Sequence, residues 1–234
     1  MARILITGSS DGLGLMAARL LIEQGHEVVL HGRNESRSRD ALAAAVGAQG
    51  AVTGDLSTIT GARTVAEQVN GLGRFDAVIH NAGIGYREGR VETEPGVPSV
   101  FAVNVLAPYI LTALIERPGR LVYVSSGTHH GVRPRMDDLV WARRAWSGFS
   151  AYAESKLYDV LLAFAVARRW KDVKSNALES GWVATKMGGP SAPDNLRQGC
   201  VTRPGLPRAR TSSRYQRAGI SDVDPDRETA GAVF

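Results

Sequence analysis

The stretch Thr7-Gly8-Ser9-Ser10-Asp11-Gly12-Leu13-Gly14 constrains this chain more than any other. It follows Arg3-Ile4-Leu5-Ile6, an apolar run of strand type. It precedes Leu15 to Gln24, where Leu15, Ala18, Leu21 and Ile22 recur at helical spacing. A strand, a glycine turn and a helix make the first half of a βαβ unit. Gly8 permits the tight turn, Gly12 lets a pyrophosphate approach the backbone, and Gly14 lets the helix pack close to the strand. The helix behind such a turn aims N–H groups and the positive end of its dipole at an anion. The expected ligand is a nucleotide, held by Thr7, Gly8, Ser10, Gly12, Leu13 and Gly14.

Glu27 to His31 reads as a second strand, closed by Gly32-Arg33-Asn34. A dinucleotide fold that uses NAD places an acid about 20 residues past the glycine motif, to bind the adenosine ribose. Here Gly32 holds that place, and Arg33 offers a guanidinium to a 2′-phosphate. NADP(H) is therefore expected over NAD(H). Asp40 to Val46 reads as helix and Gly50 to Thr53 as a third strand, ending at Gly54-Asp55-Leu56. Ser57 or Thr58 caps the next helix, which runs to about Asn70. Phe75 to His80 is a fourth strand, almost wholly apolar, as a strand buried on both faces is. Asn81-Ala82-Gly83 follows, then a loop from Ile84 to Pro98 and a long helix from Val100 to Glu116 with Asn104 inside it. Arg120 to Val124 is a fifth strand, ending in Ser125-Ser126. A long connection, Gly127 to Ser150, leads to a helix from Ala151 to Trp170 and a sixth strand from Val173 to Leu178. The expected architecture is a single α/β domain on a doubly wound parallel sheet, the Rossmann arrangement.

Composition excludes several classes. The 234 residues are 44% hydrophobic, enough for a full core and against wholesale disorder. Cys200 is the only cysteine, so no internal disulfide forms, and a reducing, cytoplasmic setting is expected. The first strand begins at Arg3, leaving no room for a signal peptide. The apolar run Val100 to Ile115 is broken by Asn104 and Pro108 and is shorter than the ~20 residues of a membrane span. The formal charge of +5 comes from dispersed arginines, so no nucleic-acid partner is expected. His129 and His130 lack a third ligand at metal spacing. They read as solvated or substrate-facing, and no metal site is expected.

Tyr152 and Lys156 lie four residues apart on one helix and share a face. An ammonium beside a tyrosine stabilises its phenolate and makes it a usable acid and base. Ser126 closes a strand at the same sheet edge, and ligands of open α/β sheets bind at the carboxyl ends of strands.

Taken together, Thr7 to Gly14, Asp55-Leu56, Asn81-Ala82-Gly83, Asn104, Ser126, and Tyr152 with Lys156 resemble the short-chain dehydrogenase/reductase family over residues 1 to about 198. The long loop, with Asp137-Asp138-Leu139 in it, is similar to the retinol dehydrogenase and WW-domain oxidoreductase branch. The resemblance implies that Tyr152 protonates a carbonyl or deprotonates an alcohol, and that Ser126 rather than Ser125 hydrogen-bonds the same oxygen. It implies that Lys156 holds the nicotinamide ribose and that Asn104 positions a water linking Lys156 to solvent. Asp55 and Leu56 are implied at the adenine, Asn81, Ala82 and Gly83 along the adenosine side, and Thr185 at the carboxamide. Ser180-Gly181 stands where the family has Pro-Gly, and His80 where many members have asparagine.

The expected activity is NADP-dependent interconversion of a carbonyl and an alcohol on a small lipophilic molecule. The surplus of apolar residues on the two long helices predicts a homodimer. From about residue 199 the sequence turns rich in Arg, Pro, Ser and Gly with no period. Residues 199–234 are expected to form an irregular tail, with Cys200 to Asp226 unable to bury enough surface to order. Only Thr229 to Phe234 reads as a short strand. Two alternatives stand beside the enzyme: a non-catalytic NADP-binding sensor or scaffold, and a family member impaired by its tail.

Overall fold

The computed structural model describes residues 1–200 apart from Glu88 and Pro95. Six parallel strands form the sheet: β1 (Arg3–Ile6), β2 (Glu27–Gly32), β3 (Gly50–Thr53), β4 (Ala77–His80), β7 (Arg120–Ser125) and β8 (Lys174–Glu179). Their order is β3-β2-β1-β4-β7-β8, which reverses direction at β1 and opens a crevice between the ends of β1 and β4. Alternation sends strand residues to two cores. Leu5, Val29, Val78, Leu121 and Tyr123 pack under α3 (Ile59–Gly71), α5 (Ala107–Leu114) and α6 (Gly148–Arg169). Ile4, Ile6, Val28, Leu30, Val122 and Val124 pack under α1 (Gly12–Glu23) and α2 (Glu35–Ala44). The expected doubly wound sheet is the one formed.

Several boundaries differ from the sequence reading, each for a local reason. Helix α2 starts at Glu35 rather than Asp40, because the Asn34 side chain accepts the Arg37 N–H at 3.0 Å and nucleates the first turn. Thr58, not Ser57, caps α3, accepting from Gly61 N. The segment expected as loop holds a two-stranded antiparallel hairpin, β5 (Glu92–Glu94) with β6 (Val97–Pro98), too short and polar for a period to show. The long helix expected from Val100 to Glu116 is broken into α4 (Ser99–Phe101), a π-turn (Ala102–Leu106) and α5. Pro108 has no N–H for the carbonyl four residues back, which belongs to Asn104.

In α6 every residue from Ala151 to Val160 is buried within the one chain. The connection between β7 and α6 lies over part of this stretch, where Arg135 N donates to Tyr158 Oη and Arg144 pairs with Glu154. The folded body continues through α7 (Leu196–Cys200), whose Cys200 is 1% exposed in the core under α1. This is two residues past the boundary expected at 198. The predicted irregular tail beyond Cys200, and the short strand Thr229 to Phe234, lie outside the described residues.

His80, at the end of β4, is buried against the Tyr123 ring at 4.8 Å, with Nε2 3.2 Å from Thr112 Oγ1. Among the described residues its Nδ1 has no partner, and burial pushes the imidazole down to about 3. An unfolded histidine takes up its proton near 6.5, whereas His80 in the fold does not until about 3. Stability is therefore full above about 6.5 and is lost as pH falls, by up to ~1.4 kcal/mol per unit. Urea unfolding between pH 7 and 5 should show a shallower loss for His80→Asn than for the parent. Equal slopes would contradict this.

Candidate functional site

The glycine turn is held from β4 and from β2. Gly8 and Gly12 have φ of +62° and +55°. A side chain on Gly8 would come within 2.7 Å of Ala82 Cα, and one on Gly14 would overlap Asn81 Nδ2 and Gly8 O. Thr7 Oγ1 accepts from Asn81 N and Ala82 N at 3.0 Å, and Asn81 Nδ2 returns bonds to Thr7 O and Gly8 O. Thr7 and Asn81 thus staple the turn to the end of β4. His31, which the motif did not signal, braces the turn from β2. Its Nδ1 accepts from Gly8 N at 3.0 Å and its Nε2 donates to Gly54 O at 2.9 Å. Burial pushes its imidazole down, which keeps that neutral tautomer.

The mouth of the turn is open. A Cβ on Gly12 would meet only Thr185 Cγ2, at 3.8 Å. Asp11 gives α1 no side-chain cap, so its first N–H groups are left for an anion. The Asp11 carboxylate instead pairs with Arg37 at 2.6 Å and Lys186 at 2.9 Å. Burial pushes this carboxyl up, but those two cations outweigh it and hold it below the usual range. Ser10 and Leu13 lie half-buried on the turn. Gly32 is a second cradle, since a Cβ there would lie 2.6 Å from Ser38 Oγ. Arg33 beside it and Asp55 are exposed, and Asp55 Oδ1 accepts from Ser57 N. The Leu56 side chain is spent in the core. Van der Waals room, uncapped N–H groups and neighbouring cations all fit a dinucleotide.

The second half of the site is on α6 and the π-turn. Tyr152 is 8% exposed, with its ring edge-on to Tyr86 at 6.0 Å. Tyr86 also meets Phe149 at 6.0 Å, so three aromatic rings form one lip. Lys156 Nζ lies 5.9 Å from the Tyr152 ring centroid and donates to Val124 O and Asp159 Oδ2, both at 2.8 Å. Asn104, 1% exposed, donates Nδ2 to Ile84 O and Ser155 Oγ and accepts Ile84 N on Oδ1. A Cβ on Gly83 would lie 3.5 Å from Asn104 Oδ1 and 3.7 Å from Lys156 Nζ, which brings these three residues together. The two serines divide labour. Ser125 Oγ donates to Lys156 O at 2.8 Å and is committed to the helix backbone, while Ser126 is half-buried at the strand's end and caps a short turn, Gly127–His129.

The histidine pair does find a third partner, Glu179 at the end of β8, too far along the chain for spacing to reveal. His129 and His130 approach Glu179 Oε1 at 3.4 and 2.9 Å, and the three donor atoms fall within 4.8 Å of one another. His129 is buried rather than solvated, and its Nδ1 donates to Ser126 O at 2.7 Å. The long connection is pinned by Asp138, whose carboxylate accepts Ala142 N, Arg143 N and Arg144 Nε. Arg144 lies 3.9 Å over Trp141, which meets Trp146, and reaches across to Glu154 on α6 at 2.7 Å. Thr185 Oγ1 accepts from Gly188 N and closes the strand-β8 side of the crevice. No described helix is long and apolar enough to cross a membrane.

Known proteins resemble this chain over most of its length. The short chain dehydrogenase family profile matches residues 2–196. A short-chain dehydrogenase of Penicillium rubens is 43% identical over 205 residues, covering 86% of this chain and 79% of its own. Human retinol dehydrogenase 14 is 30% identical over 212 residues, covering 79% and 62%. A Beutenbergia cavernae structure with bound NADP superposes with a TM-score of 0.63 at 27% identity, covering 80% of this chain and 74% of the other.

The loop's attachment is testable. Arg144→Ala removes the side chain that joins Asp138 to Glu154 and should loosen the loop from α6. Trypsin should then cut at Arg133, Arg135 or Arg143 well before it does in the parent. Unchanged protection of these arginines would show that the loop is held by something else.

Proposed function

The chain belongs to the short-chain dehydrogenase family, and we propose that it is an NADP(H)-dependent oxidoreductase interconverting a carbonyl and an alcohol on a small lipophilic molecule. The observation that carries this reading is the shared face of α6. Tyr152 and Lys156 stand together there, Ser126 follows the β7 residue Ser125 that bonds the Lys156 carbonyl, and α1 leaves its N–H groups uncapped. When bound, the nicotinamide supplies or accepts the hydride. Tyr152 gives the proton to the substrate oxygen in reduction and takes it in oxidation. Ser126, whose neighbour Ser125 is already committed, holds the same oxygen. Lys156 holds the ribose beside the Tyr152 ring. The open lone pair on Asn104 Oδ1 suits a water on the way to Lys156.

The NADP preference rests on the cradle after β2. A side chain at Gly32 collides with Ser38, so no acid fits there, and Arg33 stands exposed beside it. Asp55 reaches the adenine, and Asn81, Ala82 and Gly83 line the adenosine side. Thr185, beside Gly12, meets the carboxamide. The aromatic lip of Tyr86, Phe149 and Tyr152 suits an apolar substrate. A homodimer would use α5, where Tyr109 and Leu114 are 57% and 47% exposed. A cytoplasmic setting accords with a lone buried cysteine.

A screen of aldehydes, ketones and quinones for NADPH consumption identifies the substrate. With it, Tyr152→Phe should lower kcat by about 10²–10⁴ while NADPH still binds. Parent-level turnover by Tyr152→Phe would remove Tyr152 as the acid. By fluorescence titration, NADPH should bind more tightly than NADH, and Arg33→Ala should narrow the gap. Equal affinities in the parent would refute the NADP assignment.

A further inference from the structure

Lys156 is 5% exposed, and its ammonium is held from inside the fold. One turn further along α6, Asp159 is 3% exposed, and its carboxylate accepts from Lys156 Nζ and from no other donor among the described residues. A charge this deep has lost its hydration, and only a close counter-charge offsets the loss. The Lys156 ammonium offsets part of the cost of burying the Asp159 carboxylate.

The pair also has a direction. Val124 O and Asp159 take two of the three ammonium N–H bonds on the side toward β7. One N–H remains, and Nζ lies 3.7 Å from where a Cβ on Gly83 would sit. The open side of the ammonium therefore lies next to the Gly83 backbone and Asn104 Oδ1. Turning the ammonium to satisfy Asp159 fixes where the third N–H points.

We propose that Asp159 is a positioning residue for the cofactor: its carboxylate holds the Lys156 ammonium turned toward the ribose of the nicotinamide dinucleotide. This rests on the reading of Lys156 as the ribose-holding residue. Asp159 itself touches neither cofactor nor substrate.

The pair responds to pH. Burial pushes the Asp159 carboxyl up to about 6, against the opposing pull of Lys156. From β7 it faces Tyr123, whose phenol burial and the Asp159 charge push well above the usual range, so it stays neutral. Tyr123 leads through Thr112 to His80 of β4, which burial also keeps neutral. The π-turn and β8 bring Asp159 no further charge. Positioning needs the ionised carboxylate. Cofactor affinity is then full above the Asp159 titration and falls as pH drops through it.

Calorimetric titration of NAD⁺ and NADP⁺ between pH 5 and 8 tests this on the full chain, with Asp159→Asn, Asp159→Glu and Lys156→Met. A phosphate monoester titrates near 6 as well. The limb due to Asp159 must therefore appear with NAD⁺, which has no 2′-phosphate. The parent Kd for NAD⁺ should rise by up to about tenfold per pH unit below the titration. Asp159→Asn should bind more weakly at pH 8 and lose the limb, while Asp159→Glu should restore it. A flat parent curve with NAD⁺ overturns the proposal even if Asp159→Asn does not fold. If Lys156→Met weakens binding but Asp159→Asn matches the parent, Asp159 has no positioning role and the ribose reading stands. If Lys156→Met binds like the parent, the ribose reading itself falls.

Discussion

The site depends on one polar joint between the first and fourth strands. Thr7 and Asn81 exchange backbone and side-chain bonds across the crevice, two into the Thr7 hydroxyl and two from the Asn81 amide. The Thr7 hydroxyl is buried and the Asn81 amide half-buried, so leaving them unpaired carries a desolvation cost. The joint therefore closes as a unit and sets where Gly8, Gly12 and Gly14 stand. With the turn fixed from β4 by Asn81 and from β2 by His31, the N-terminus of α1 points into the crevice without an internal cap. The strand order places β7 beside β4, so Ser126 and the π-turn with Asn104 arrive at the same edge.

The joint also changes the meaning of two motif residues. Thr7 and Asn81 appear in the sequence as members of a nucleotide site, yet their side chains serve the protein's own backbone. Asn104 is similar: its amide fastens the segment after Asn81 to α6 through Ile84 and Ser155. Polar residues that look catalytic in sequence here act first as the scaffold that holds Tyr152 and Lys156 in register.

Much of this was legible because it rests on short-range patterns. Strands buried on both faces give unbroken apolar runs such as Ala77-Val78-Ile79, and the glycine turn gives its own spacing. What escaped the sequence depends on distant partners. His31 looks like an ordinary strand residue until its ring reaches Gly8 and Gly54. Glu179 joins His129 and His130 only because β8 pairs with β7. The loop that packs on part of α6 shows no period, so its contacts with Tyr158 and Glu154 were not legible. Asp138 and Arg144 give that loop its order through charge pairing, which no hydrophobic period records. The Lys156–Asp159 pair was open to view at three-residue spacing, but its burial was not.

All of these features converge on one physical claim: the carboxyl edge of the sheet holds a nicotinamide dinucleotide stretched from the α1 N-terminus to Lys156. A crystal structure grown with NADP⁺ tests it most directly. The pyrophosphate should lie over Gly12 to Gly14 at the start of α1, with the nicotinamide ribose hydroxyls bonded to Lys156 Nζ and the ring beside Tyr152. A dinucleotide bound elsewhere, or one whose ribose lies out of reach of Lys156, would contradict it.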